Sequence, residues 1–193
     1  MADQIGAAIV FFSGGKDSCV MTDMMATRME IILVYKYFIN GLSFKEKIFE
    51  VYKKRYNIKM VQIPSTDLFI EKGINVKEKE VEELAREKTG MYYVSYGMRK
   101  DESIFRRGMM KNIDNGIDIK NGRLYPLAEW SANDIMRYIK QKKLPISIEY
   151  QYGLRDINIP KADAMEFIKQ KFPDDYIRIK EQLPRFGVYD VKV

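Results

Sequence analysis

Residues 13–18 read Ser13-Gly14-Gly15-Lys16-Asp17-Ser18, and their types and spacing suit an anion-binding turn. Two adjacent glycines let the backbone turn sharply and bring its N–H groups against an anion. A helix opening directly behind them adds unpaired N–H donors and the positive end of its dipole. Lys16 supplies a full charge, and Ser13 and Ser18 supply hydroxyls. Asp17 is out of place beside a phosphate unless it braces the loop or holds Mg2+. A second cluster stands at Gly97-Met98-Arg99-Lys100-Asp101-Glu102-Ser103, with Arg106 behind it. It offers a glycine for close backbone approach, a helix start at Ser103, and two guanidiniums able to clamp a phosphate or sulfate bidentately. Taken alone, the same stretch reads equally well as a solvated basic turn.

Two residue counts narrow the chemistry. The 193-residue chain has no His and one Cys, Cys19. The expectation is therefore no histidine-based triad, no disulfide, no zinc and no iron–sulfur cluster. Catalysis is left to Lys, Arg, carboxylates, backbone dipoles and a hard cation such as Mg2+. Cys19, in the first turn after the glycines, reads as a small buried residue rather than a nucleophile. The net charge of +6 suits a polyanion partner and solvated basic helix faces alike. The apolar run from Ile5 to Phe12 is too short to span a bilayer and no basic leader frames it, so a cytoplasmic setting with no membrane partner is expected.

These residues need a scaffold, and the periodicity supplies one. Apolar runs at Ile5–Phe12, Glu30–Phe38, Lys59–Pro64, Met91–Tyr96 and Arg123–Leu127 read as strands. Helical spacing fills Asp17 to Arg28, the segment opened by Ser43-Phe44-Lys45-Glu46 as a capping box, and Lys77 to Lys88 with Gly90 as its stop. Ser103 to Asn112, the segment opened by Ser131 and Asp134, and one or two helices between Lys161 and Leu183 follow. Residues 65–76 read as a loop with a short helix. Trp130 and Ile135 occupy the positions of a hydrophobic staple. Alternation of this kind implies an α/β fold: a Rossmann-like, largely parallel twisted sheet with helices on both faces. Ligands then sit beyond the carboxyl ends of the strands, where the turns after strands one, two and four meet. Residues 1–150 form the nucleotide-binding domain in this reading, and 151–193 its C-terminal helical extension.

Two phosphate motifs are excluded. A Walker loop needs Gly where Val10 stands and Ser or Thr where Asp17 stands, and a Rossmann GxGxxG lacks its third glycine. SGGKDS after an apolar strand instead resembles the PP-loop of the adenine-nucleotide alpha-hydrolase superfamily. Gly97 to Arg106 resembles the G-x-R-x-x-E-S-x-x-R pattern of its phosphoadenosine phosphosulfate (PAPS) reductase and ATP sulfurylase small-subunit branch. Pro126-Leu127-Ala128-Glu129-Trp130, with Asp134 and Leu144-Pro145, looks like the same branch's PL-x-x-W segment. The resemblance covers about Val10 to Gly153. It implies an adenine nucleotide as ligand, with main-chain recognition of the base near Val34, Tyr35, Lys36 and Tyr37. It also implies phosphate contacts from Ser13 to Ser18, with Gly97, Arg99 and Ser103 near the nucleotide. The reductases' C-terminal Glu-Cys-Gly-type motif has no counterpart, since Arg185 to Asp190 carries no cysteine.

The expectation is thus an enzyme that cleaves ATP between the α and β phosphates and passes AMP to an unidentified acceptor. Lys16, Asp17, Arg99 and Arg106 would carry the reaction, and Mg2+ would bridge the phosphates, with Asp17 as its possible ligand. Two alternatives stand beside it: a nucleotide- or sulfonucleotide-binding module without thiol chemistry, and a nucleic-acid base-modifying PP-loop enzyme. The basicity permits the latter, but no recognisable RNA-binding appendage supports it. A homodimer or a partner protein is compatible with either.

Overall fold

The computed structural model describes residues 5–148 and 162–182. The first strand, β1 (Ala7–Phe11), shows why the sheet must be covered on both faces. Ala8, Val10 and Phe12 enter one buried cluster, while Ile9 and Phe11 enter another. Side chains alternate across a strand, so an unbroken apolar run needs a partner on each side.

Around β1 lie α1 (Lys16–Ala26), β2 (Glu30–Tyr37), α2 (Ser43–Tyr56), β3 (Met60–Pro64), α3 (Thr66–Glu71) and α4 (Glu78–Thr89). There follow β4 (Val94–Ser95), a 3-10 turn at Lys100–Glu102, α5 (Ile104–Met109), β5 (Ile117–Asp118), β6 (Arg123–Leu124) and α6 (Ala132–Lys142). Two further helices, α7 (Ala162–Lys171) and α8 (Pro173–Gln182), complete the described chain. The strand order is β3-β2-β1-β4-β6-β5, parallel except for the β5–β6 pair. The chain leaves β1 toward β2 on one side and later returns to β4 on the other. That reversal creates a crevice at the carboxyl ends of β1 and β4.

Three local differences from the sequence reading have physical causes. The fourth strand is two residues long, not six, because its neighbour β6 offers two partners before Tyr125 N–H turns to Gly116 O (2.7 Å). The edge strand β5 is too short to leave a period, although Asn115 and Gly116 before it have φ of 50° and 73° and turn the chain back. Helix α2 is not closed by its own capping box. Asp175 of α8 accepts from Ser43 N (2.9 Å) and Ser43 Oγ (2.7 Å), and Glu46 accepts from Gln62 instead (2.7 Å). A carboxylate delivered by tertiary packing has displaced the local one.

The last two helices pack Met165, Ile168 and Ile179 against Phe38, Ile39, Leu42 and Phe44, with the Phe44 and Phe172 rings 5.2 Å apart. Readings made for Tyr150 to Gly153 and Arg185 to Asp190 lie outside the described residues. Among the described residues no helix is long and apolar enough to cross a membrane.

Candidate functional site

β1 runs straight into the glycine turn, its last tether being Phe12 N–H to Val34 O (2.9 Å). Gly14 then takes φ +77°, and a Cβ there would lie 2.9 Å from Ile48 Cγ2. Both the left-handed backbone and the contact with α2 demand glycine. Its carbonyl accepts from Ser147 N (3.2 Å) and the Cys19 thiol (3.4 Å). The serine hydroxyls brace the turn: Ser13 Oγ accepts from Gly15 N (3.3 Å), and Ser18 Oγ donates to Gly15 O (2.9 Å). Gly15 is extended and α1 starts with no side-chain cap. The first amides of an 11-residue helix are therefore aimed at the crevice without a side-chain acceptor.

The second cluster closes onto the first. A Cβ on Gly97 would stand 3.3 Å from the Asp17 carbonyl carbon and 3.4 Å from Ser18 N, so the turn after β4 touches the backbone of α1. Arg99, 4% exposed, donates from Nε to Asp17 Oδ1 (2.7 Å) and from its terminal nitrogens toward Asp101 and Glu102. Lys16 takes the other oxygen of Asp17. Arg106 pairs with Glu102, one step further out, and Ser103 Oγ caps α5 by accepting from Arg106 N (3.1 Å). Three cations thus share three carboxylates. Any anion reaching Lys16 and Arg99 would have to compete with Asp17.

Beside the loop lies a cleft of about 330 Å³ between the ends of β1, β2 and β3. Phe11, Phe12 and Ser13 form one wall, Val34 to Lys36 and Phe38 another, and Ser65 to Asp67 with Glu78 the rim. The ladder decides which main-chain groups face it. The Val34 carbonyl is taken by Phe12 N, while Leu33 N and Tyr37 O bond to Lys59 and Ser65 on the β3 side. By alternation Tyr35 also turns its peptide groups to β3, and its ring packs on Phe49 (4.6 Å). Lys36 turns its N–H and C=O to the β1 side, beyond the end of β1, where a flat heterocycle could meet both. The Lys36 ammonium lies 4.6 Å from the Phe11 ring centre and pairs with Glu78. Burial raises the Glu78 carboxyl, but the charge and hydrogen bond of Lys36, with those of Thr66 and Tyr96, outweigh it and leave the pKa lowered.

Lys45 was not singled out from sequence. It is buried on α2, with Nζ 3.3 Å from Ser13 O at the start of the loop. Its signal was spacing: residues 45, 48, 49 and 52 form one helical stripe, and the other three are apolar core. Asp101 and Glu78 left no comparable signal, since acids at helix starts read as dipole partners.

The sequence profile of the phosphoadenosine phosphosulfate reductase domain matches residues 7–159. No curated protein matches the chain. Among solved structures, the U34-tRNA thiolase of Methanococcus maripaludis with its 4Fe-4S cluster superposes with TM-score 0.52 at 14% identity, over 97% of this chain and 73% of that one. The PAPS reductase of Candida auris in a phosphate complex gives 0.50 at 14%, over 77% and 79%. The FMN adenylyltransferase of Candida glabrata with FAD and inorganic pyrophosphate gives 0.52 at 15%, over 77% and 52%.

The first of these corrects the cofactor expectation of adenine nucleotide and Mg2+ with iron–sulfur and zinc excluded. A protein of this fold does carry a 4Fe-4S cluster, and a cysteine count bounds only the ligands one chain supplies by itself. The residues described here do not fit such a group. Cys19 is fully buried on the Gly14 carbonyl, Asp17 is shared between Lys16 and Arg99, and no cluster of three or more potential metal-ligating side chains occurs among the described residues. The match over residues 7–159, on a sheet whose first turn is SGGKDS, identifies the chain as a member of the phosphoadenosine phosphosulfate reductase domain family, within the PP-loop adenine-nucleotide alpha-hydrolase superfamily.

Proposed function

We propose that the protein binds ATP and cleaves it between the α and β phosphates, transferring AMP to an acceptor and releasing pyrophosphate. The observation that carries this reading is the uncapped N-terminus of α1 behind Gly14 and Gly15, opening beside a cleft of about 330 Å³. A nucleotide spanning the two would lay its base against the Lys36 main chain and its phosphates on the α1 amides and Lys16. The acceptor's nucleophilic atom attacks the α phosphorus, and the bond to the bridging oxygen breaks. The electron pair leaves with pyrophosphate, whose charge the amides and Lys16 stabilise. Arg99 and Arg106 would reach the α-phosphoryl oxygens once released from their carboxylates. Burial of Cys19 supports this reaction over thiol-based reduction, because the one thiol of the sequence is then not accessible.

One observation favours a second reading, nucleotide binding without turnover: the Arg99 guanidinium ends on Asp17, Asp101 and Glu102. Incubation with ATP and candidate acceptors, sulfate among them, with quantification of adenylated acceptor and pyrophosphate, separates the two. Equal amounts of adenylated acceptor and pyrophosphate support transfer. ADP with inorganic phosphate overturns it, and tight ATP binding with no product supports the binding module.

A further inference from the structure

Two peptide units form the glycine turn, and their hydrogen bonds are spent differently. The Gly14–Gly15 unit is occupied at both ends: Gly14 O accepts from Ser147 N and the Cys19 thiol, and Gly15 N donates to Ser13 Oγ. The Ser13–Gly14 unit is occupied at one end. Its carbonyl accepts from Lys45 Nζ (3.3 Å). Among the described residues nothing accepts from Gly14 N, although Gly14 is buried. A buried amide without an acceptor is rare, and a ligand or a water is its usual partner.

Lys45 accounts for the direction of that amide. A trans peptide carries its C=O and N–H on opposite sides. A cation holding the Ser13 oxygen from α2 therefore turns the Gly14 N–H away from α2. Half a turn of the same unit would present the carbonyl instead, whose partial negative charge repels an anion. A lysine only 5% exposed is costly to bury. Its neighbours on the same buried stripe are Ile48, Phe49 and Tyr52, so packing alone does not ask for a charge there. We propose that Lys45 is a positioning residue of the phosphate site. It fixes the Ser13–Gly14 peptide so that Gly14 N–H, one residue ahead of Gly15 and α1, donates to the pyrophosphate end of the nucleotide. The ammonium acts through the peptide and does not touch the ligand. This role rests on the loop being the phosphate site of a bound nucleotide.

The test uses inorganic pyrophosphate and adenosine as separate probes of the full chain in calorimetry. Lys45→Met should weaken pyrophosphate about tenfold, the size of one lost bond to a charged group, and leave adenosine affinity unchanged. Lys45→Arg keeps a cation for the Ser13 oxygen and should recover most of the loss. A lysine that merely ties α2 to the loop would cost both probes together or neither. Amide NMR of the unaltered chain gives a second reading that needs no variant to fold: pyrophosphate should shift the Gly14 N–H resonance. Pyrophosphate affinity indifferent to Lys45→Met overturns the proposal, as does equal loss of both probes. A Gly14 resonance that stays in place while those of the first α1 amides move overturns it as well. If the unaltered chain binds neither ATP nor pyrophosphate, the nucleotide reading fails and this role fails with it. If it binds both and Lys45→Met changes neither, only the role of Lys45 falls.

Discussion

Helices α1 and α6 have the same length, 11 residues each, and both begin at the Arg99 cluster, yet their first turns are finished in opposite ways. At α6 the amides of Ser131, Ala132 and Asp134 each have a side-chain acceptor. Ser131 Oγ accepts from Asp134 N (3.1 Å), Asp134 Oδ2 accepts from Ser131 N (2.9 Å), and Asp101 Oδ2 accepts from Ala132 N (3.0 Å). At α1 the cap position is Gly15, with no side chain to give, and the neighbouring serines are turned back on the loop. A capped N-terminus adds about 1 kcal/mol to the fold. An uncapped one forgoes that stabilisation and keeps its donors for a ligand. The comparison teaches that at α1 the missing side-chain cap coincides with the glycine turn and the cleft beside it.

Substitutions should widen or erase this contrast. The largest effect belongs to Gly14→Val, which meets both a left-handed backbone and Ile48. It should abolish ATP binding in calorimetry, and retained affinity would remove α1 as the anion site. Lys16→Ala should weaken ATP by about tenfold to a hundredfold, the range of a lost charge-assisted bond of about 1.5–3 kcal/mol. Asp17→Asn should act in the other direction on inorganic pyrophosphate. Freed from a carboxylate, Lys16 and Arg99 should bind it several-fold tighter, and weaker binding would mean that Asp17 braces the loop instead. Ser131→Ala should cost about 1 kcal/mol of stability in urea denaturation while leaving ATP affinity unchanged. The smallest effect is on pH dependence. Hydrogen bonds from Ser131, with Arg137 nearby, hold the Asp134 carboxyl below its ordinary 3.8. Its stabilisation is present in full above 3.8 and is lost as pH falls through the lowered value. Asp134→Asn should therefore flatten the acid side of the stability curve, and an unchanged slope would show that the α6 cap does not titrate there.

Legibility divided along the same line. The Ser131–Asp134 cap was readable because donor and acceptor lie three residues apart, and the analogous signal at Ser43 and Glu46 misled because Asp175 lies 132 residues from Ser43. The glycine turn, the strand before it and the helix behind it were readable together, since each follows from neighbours in the chain. Lys45 and Asp101 as a partner of Arg99 were not, because a charged residue beside a helix start looks solvated until another element covers it. The absence of a strand period in Ile117–Asp118 hid the sheet's edge for the simpler reason of length.

By itself the order of residues determined that β1 is buried on both faces, that Gly14 and Gly15 turn the chain into a helix, and that the elements alternate as a parallel sheet requires. Those outcomes rest on contacts and dihedral limits within a few residues of one another. Only the tertiary structure decided that Gly97 presses on α1, that Arg99 is held by Asp17, Asp101 and Glu102, and that Lys36 turns its peptide groups to an open cleft. Each of these joins side chains or strands far apart in sequence, and a charge's partner is fixed by where packing brings it rather than by what stands next to it.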